Sequence, residues 1–303
     1  MNNRENPKNR PNKETHMSEE SGRRIGFIDY QLENFHANVY LQLLRNDLKA
    51  RGWTVAGCHA LDAANGREWA VKNQVPWFDS PRALNANVDA YVVLAPSNPE
   101  QHLDLCRLCF KFRKPTYVDK TFAPSLAVAR RIFALADRYG VPVQTTSALR
   151  YTGVQAYARE AGTGAICHMV SWGGGRSFGE YAIHPLELVI SCMGPDVTGL
   201  MRRGAGDQSQ LLLNFTGDRT AVVNVYANSS IPFAAAVTTA KETRLITVDT
   251  GAIFRDTASA ILNLFESGKP AIDRRETLAI RHVLDVAGRP AVLKKMVRLT
   301  VPA

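Results

Sequence analysis

The chain has 303 residues, 45% hydrophobic and 21% charged, with a formal net charge of +9. This is globular composition, long enough for two domains, and no apolar run reaches the roughly 18–20 residues of a membrane span. The basic excess suits an anionic ligand such as a dinucleotide, or a solvated basic surface, and no aromatic-and-basic motif points to nucleic acid.

Residues 1–23 are polar and rich in Asn, Lys, Arg, Glu and Pro, without the apolar centre of a signal peptide. They are expected to form a disordered tail, and the protein is expected in the cytoplasm. The five cysteines, Cys58, Cys106, Cys109, Cys167 and Cys192, form an odd set that fits reduced thiols. Cys106-Arg-Leu-Cys109 has metal or redox spacing. With no second Cys/His pair nearby, it reads as two helix cysteines packed in a core, and no metal is expected.

From Arg24 the chain alternates strand and helix. Arg24–Asp29 reads as a buried strand, followed by a helix with Phe35, Val39, Leu43, Leu44 and Leu48 at helical spacing, stopped by Gly52. Trp53–Cys58 and Asp89–Ala95 are the next strands. Asn98 with Pro99 reads as a helix start, with Leu103, Cys106 and Phe110 on the buried face. Pro115–Val118 is a short strand. Ser125 caps a helix through Leu126, Ala129, Ile132, Phe133 and Ala136 that Gly140 ends, and Val141–Thr145 is another strand. This alternation predicts βαβ units and a doubly wound parallel sheet over 24–150.

After Tyr151 the pattern changes. A helix is expected over Ala182–Met193. Strand-like runs follow at Gln210–Phe215, Thr220–Tyr226, Ala234–Thr239 and Arg244–Val248, with a hairpin turn at Thr216-Gly217-Asp218-Arg219. Helices close the chain at Ala258–Phe265 and Arg275–Val286. Residues 151–303 therefore read as an α+β domain with a mostly antiparallel open sheet, whose apolar strands predict a homodimer or higher oligomer.

The run Val118-Asp119-Lys120-Thr121 places Lys120 at the carboxyl end of a parallel strand, the edge where ligands bind in such sheets. Together with Ala95-Pro96-Ser97-Asn98-Pro99-Glu100-Gln101-His102, Glu180-Tyr181-Ala182-Ile183-His184 and Ser267-Gly268-Lys269-Pro270 followed by Asp273, it resembles the ordered motifs of the Gfo/Idh/MocA family over about Arg24–Arg289. The resemblance implies a Rossmann domain, a C-terminal α+β domain, and NAD- or NADP-dependent redox chemistry on a sugar or polyol. It implies that Lys120 and His184 share proton transfer and oxyanion stabilisation, with Glu180 orienting His184 or meeting substrate hydroxyls. It places cofactor contacts at Tyr30, Gln31, Leu32, Ala95, Pro96, Ser97, Asn98, His102 and Asp119. Arg150, Tyr151 and Arg176 are candidate substrate residues, Arg150 also reading as a hinge salt bridge and Arg176 as part of a flexible Gly173–Gly175 loop. His36 and His102 also fit as structural histidines satisfied by backbone groups.

The chain departs from the family where Gly-x-Gly-x-x-Gly would stand. Asp29-Tyr30-Gln31-Leu32-Glu33-Asn34 has no glycine there and brings two acidic residues. If a dinucleotide binds, Tyr30–Asn34 must offer backbone N–H groups with Asp29 turned away. The ribose-binding acid falls to Asp62. Two readings stay open: a divergent oxidoreductase, and an inactive family-like scaffold acting as metabolite sensor or regulatory partner. Non-redox chemistry by the same residues is a third.

Overall fold

The computed structural model describes residues 23–300. The tail expected at 1–23 lies outside the described residues apart from Arg23, which opens the first strand. The first half runs β1 (Arg23–Asp29), α1 (Phe35–Arg45), β2 (Trp53–Ala60), α2 (Ala63–Asn73), α3 (Pro81–Asn85), β3 (Ala90–Val93), α4 (His102–Cys109), β4 (Thr116–Val118), α5 (Leu126–Tyr139) and β5 (Val143–Gln144). The strands form one parallel sheet in the order β2-β1-β3-β4-β5. Helices cover both faces, so the strands are apolar runs; Ile25, Phe27, Ile28, Val92, Val93 and Val118 are all buried. The order reverses between β1 and β3, which opens a crevice at their carboxyl ends.

Local chemistry sets the helix ends. Asn34, Asp62 and Ser125 each accept a backbone N–H at the start of α1, α2 and α5, and Gly140 ends α5 at φ +66°. Asn98 differs from expectation. It makes no side-chain cap; its amide donates to Glu100, and a 3-10 turn over Pro99–Gln101 precedes α4. Cys106 and Cys109 are buried in α4.

The second half comprises α6 (Gly153–Ala161), β6 (Ile166–Gly175), α7 (Phe178–Tyr181), α8 (Ile183–Met193), β7 (Val197–Arg203), β8 (Gln208–Phe215), β9 (Thr220–Ala227), β10 (Ala234–Thr239), β11 (Thr243–Thr247), α9 (Ile253–Ser267), α10 (Arg274–Ala287) and β12 (Val297–Arg298). Its sheet has the order β11-β10-β6-β9-β8-β7-β12, antiparallel except at β6–β9. The β8–β9 hairpin turns through Gly217 and Asp218, both at positive φ. Nearly all of α8 is buried, because the sheet lies on one side and α6 and α10 on the other.

Two elements tie the halves together. Helix α9, expected with the second domain, buries Ala258, Ile261 and Leu262 in the core that holds Phe27 and Leu41 of the first sheet. Helix α10 buries Leu278 among the α5 residues and Val283 among those of the second sheet. The carboxyl edge of the parallel sheet thus faces α8.

Candidate active site

Asp119 continues the β4 pairing, its N–H donating to the Val93 carbonyl at 2.9 Å. Its carboxylate is wholly buried. One oxygen accepts the Lys120 N–H at 2.8 Å; the other lies 2.5 Å from His36 Nδ1. Burial alone would raise this acid, but the His36 charge and hydrogen bond, with Lys120, hold it below the usual carboxylate range. Asp119 was expected to meet the cofactor. It instead joins β4 to the first turn of α1 across the end of β3. Lys120 is half-buried and reaches the Pro96 carbonyl at 3.3 Å. Ala95, just before it, holds φ +68°, a left-handed conformation costing a non-glycine residue about 1 kcal/mol.

His184 comes from the other half, on the first turn of α8, where Pro185 is tolerated. Its Nδ1 is 2.8 Å from Ser147 Oγ, just after β5, and that oxygen also accepts the Leu149 N–H at 3.2 Å. The ring lies edge-on to Tyr181 and Phe233, with centroids 5.5 and 5.7 Å away. Burial, then the positive charges of Lys120 and His36, push its pKa down to about 3. His184 is therefore a neutral imidazole near pH 7, and the Lys120 ammonium is close enough to help keep it so.

The glycines expected as a flexible loop belong to β6 and shape this pocket. A Cβ on Gly173 would stand 2.7 Å from the Phe233 ring, and one on Gly175 2.0 Å from the Tyr181 ring. Only hydrogen at these positions lets both rings close on His184.

Other candidates are placed differently. Glu180 is exposed on α7, separated from α8 by the turn at Ala182; Ser147, not Glu180, holds the His184 ring. Arg150 is committed to structure: its guanidinium binds Glu187 at 2.5 Å and Glu276 at 2.6 Å. Tyr151 is half-buried beside it, its phenol pushed up to about 12, mainly by burial. Arg176 is exposed past β6. His102 is structural: its ring nitrogens lie 3.0 and 2.6 Å from the Phe122 and Leu94 carbonyls. Sequence reasoning missed Ser147 and the role of His36. The available signal was Asn34-Phe35-His36 at the start of α1 and Val118-Asp119-Lys120 at the end of β4, hidden because His36 and Asp119 stand 83 residues apart.

The β1–α1 loop answers whether a pyrophosphate fits. Asp29 is not turned away. Its carboxylate accepts the N–H groups of Tyr30 at 2.6 Å and Gln31 at 3.2 Å, and the Asn34 amide at 2.9 Å. The Glu33 N–H goes to Asn65, the Asn34 N–H to Leu32, and the Ala37 N–H to Asn34 Oδ1. Leu32 is buried in the core. Asp62 caps α2 through the Asn65 N–H and accepts the Gln31 amide. The residues at the carboxyl edge suit the reacting end of a nicotinamide cofactor. The loop, as folded, does not suit its pyrophosphate.

A parallel sheet with this strand order and crevice defines a Rossmann-type domain joined to an α+β domain. Residues 29–147 match the Gfo/Idh/MocA family model, described as an oxidoreductase family with an NAD-binding Rossmann fold. No curated protein matches the sequence. Among solved structures, UDP-N-acetylglucosamine 3-dehydrogenase GnnA from Acidithiobacillus ferrooxidans is 16% identical at TM-score 0.71, covering 87% of this chain and 95% of its own. Myo-inositol 2-dehydrogenase from Lactobacillus plantarum is 14% identical at TM-score 0.75, covering 91% and 99%. An Agrobacterium radiobacter oxidoreductase, in complex with NAD+, L-tartaric acid and magnesium, is 14% identical at TM-score 0.73, covering 92% and 98%. At these identities the likeness is one of fold.

Proposed function

We propose that this protein is an NAD- or NADP-dependent oxidoreductase acting on a carbinol or carbonyl carbon of a sugar, polyol or related hydroxy compound. What supports this reading is one pocket lined by Lys120, from the parallel sheet edge, and by Ser147, the hydrogen-bond partner of His184 from α8. Ser147 holds Nδ1 of that imidazole, which leaves Nε2 as the atom that exchanges a proton with the substrate hydroxyl. The ammonium of Lys120 stabilises the developing alkoxide, where water exclusion strengthens the attraction. A nicotinamide ring bound at this edge would supply the hydride acceptor or donor.

Small hydroxylated molecules are the substrate class, and the cytoplasm is the proposed compartment. Among the described residues no helix is long and apolar enough to cross a membrane. Two copies are proposed to pair through the outer face of the second sheet, where Val170, Leu212 and Val222 stay part-exposed. Absorbance at 340 nm, followed with NAD+ and NADP+ over a panel of sugars and polyols, tests the activity. Turnover that Lys120→Ala reduces about 10³-fold supports it. No turnover with any substrate at millimolar nucleotide would return the chain to the scaffold or sensor reading.

A further inference from the structure

We infer that the β1–α1 loop is an anion seat filled by its own Asp29 side chain, so that a dinucleotide is held here without pyrophosphate contact to that loop. The inference rests on the proposed function only for the identity of the ligand.

A Rossmann loop binds phosphate because its backbone N–H groups, and those of the helix start, point at the ligand without internal partners. Here Tyr30 and Gln31 both donate to one Asp29 oxygen, and Asn34 Nδ2 donates to the other. Asn34 also donates to the Gln31 carbonyl at 2.7 Å, while its Oδ1 caps α1. Asp29 and Asn34 thus close the loop on itself. The carboxylate is fully buried beneath this backbone, so an incoming phosphate would have to break the same bonds and expel it. Glu33 adds a second carboxylate to the loop, held by Lys72 at 3.0 Å and Asn38 at 3.1 Å.

A second contact closes the path beyond the loop. His36, on the first turn of α1, binds Asp119 across the end of β3, and Phe254 of α9 lies edge-on to its ring at 5.5 Å. The line from the β1–α1 loop towards Lys120 is therefore bridged by protein side chains.

The test uses ADP-ribose, which carries the pyrophosphate and lacks nicotinamide. In the wild-type protein, the backbone amide resonances of Tyr30 and Gln31 should not move as ADP-ribose is titrated to millimolar concentration. Asp29→Ala, which frees both N–H groups, should bind ADP-ribose at least ten-fold more tightly than wild type by calorimetry. Asp29→Asn, which keeps an acceptor in place, should gain less. Saturable movement of either amide in the wild type overturns the inference, as does equal affinity of wild type and a folded Asp29→Ala. The wild-type titration stands if the alanine variant does not fold. Unmoved amides without turnover would remove the oxidoreductase reading and leave this inference; turnover with moved amides would do the reverse.

Discussion

The two ends of the crevice are built by opposite rules. At the reacting end, Lys120 and His184 come from different halves of the chain, and each is held by one neighbour: the Pro96 carbonyl and Ser147. That leaves donor and acceptor capacity for a substrate. At the phosphate end, the Tyr30 and Gln31 N–H groups go to Asp29 and the Glu33 N–H to Asn65, with Asp29 as the internal acceptor. Polar groups that serve a ligand are kept only partly satisfied, whereas groups that serve the fold are satisfied completely. By that measure the first region fits the proposed site and the second the proposed plug.

The largest effect should come from the lock behind the reacting end. Arg150 is buried against Glu187 and Glu276, and Glu187 also accepts from Thr146 at 3.2 Å. Removing the guanidinium leaves buried carboxylates unpaired, a loss of about 3–5 kcal/mol. Arg150→Met should lower stability by that amount in urea melts. An unchanged midpoint would mean that Arg150 is free for substrate after all.

The plug can be probed through pH. Burial raises Asp29 to about 7, whereas an unfolded aspartate titrates near about 3.9. The folded chain therefore holds this proton more tightly between about pH 4 and 7. Its contribution to stability falls as pH rises through that window and is fully adverse above it. About three units correspond to roughly 4 kcal/mol. Asp29→Asn lacks the term, so its stability relative to wild type should climb from about pH 4 to 7 and then level off. His184, depressed to about 3, has the opposite sign: it costs stability as pH falls below about 6.5. Being present in both proteins, it cancels in the difference. A pH-independent difference would show that folding does not raise the Asp29 carboxyl.

Smaller effects separate shape from chemistry at the reacting end. Gly175→Ala forces a methyl against Tyr181 and should cost about 1–3 kcal/mol of stability by thermal melting. A neutral result would mean that the Tyr181 ring moves freely. Ser147→Ala removes the Nδ1 partner of His184. It should lower kcat about ten-fold, equivalent to about 1.4 kcal/mol, and, because Ser147 also accepts the Leu149 N–H, cost about 1 kcal/mol of stability. An unchanged kcat would exclude Ser147 from positioning the imidazole.

Much of the fold was legible because periodicity and caps are local. Ser125 and Gly140 bound α5 as read, and the parallel-to-antiparallel change follows the strand spacing. Helix α2 escaped because its exposed face is polar and its core contact rests mainly on Trp69 and Ala70. Helix α6 opens with a glycine, which masks the Thr152–Gln155 capping box. Strand β7 contains Gly199 and ends in two arginines, so it lacks a clean alternation. Lys120 and His184 could be singled out as candidates because short local motifs carry them. The partners of Asp29, Asp119 and Arg150 could not, because hydrogen-bond satisfaction depends on neighbours far apart in sequence: His36 lies 83 residues from Asp119, and Glu276 lies 126 from Arg150.

The most direct test of the contrast is to compare two hydride donors that share a nicotinamide. NADH carries the pyrophosphate and adenosine; reduced nicotinamide mononucleotide does not. If the reacting end works and the phosphate end is plugged, kcat/KM for the two should agree within about ten-fold, a difference below about 1.4 kcal/mol. A preference for NADH of about a thousand-fold, roughly 4 kcal/mol, would mean that the pyrophosphate is held and would contradict the account.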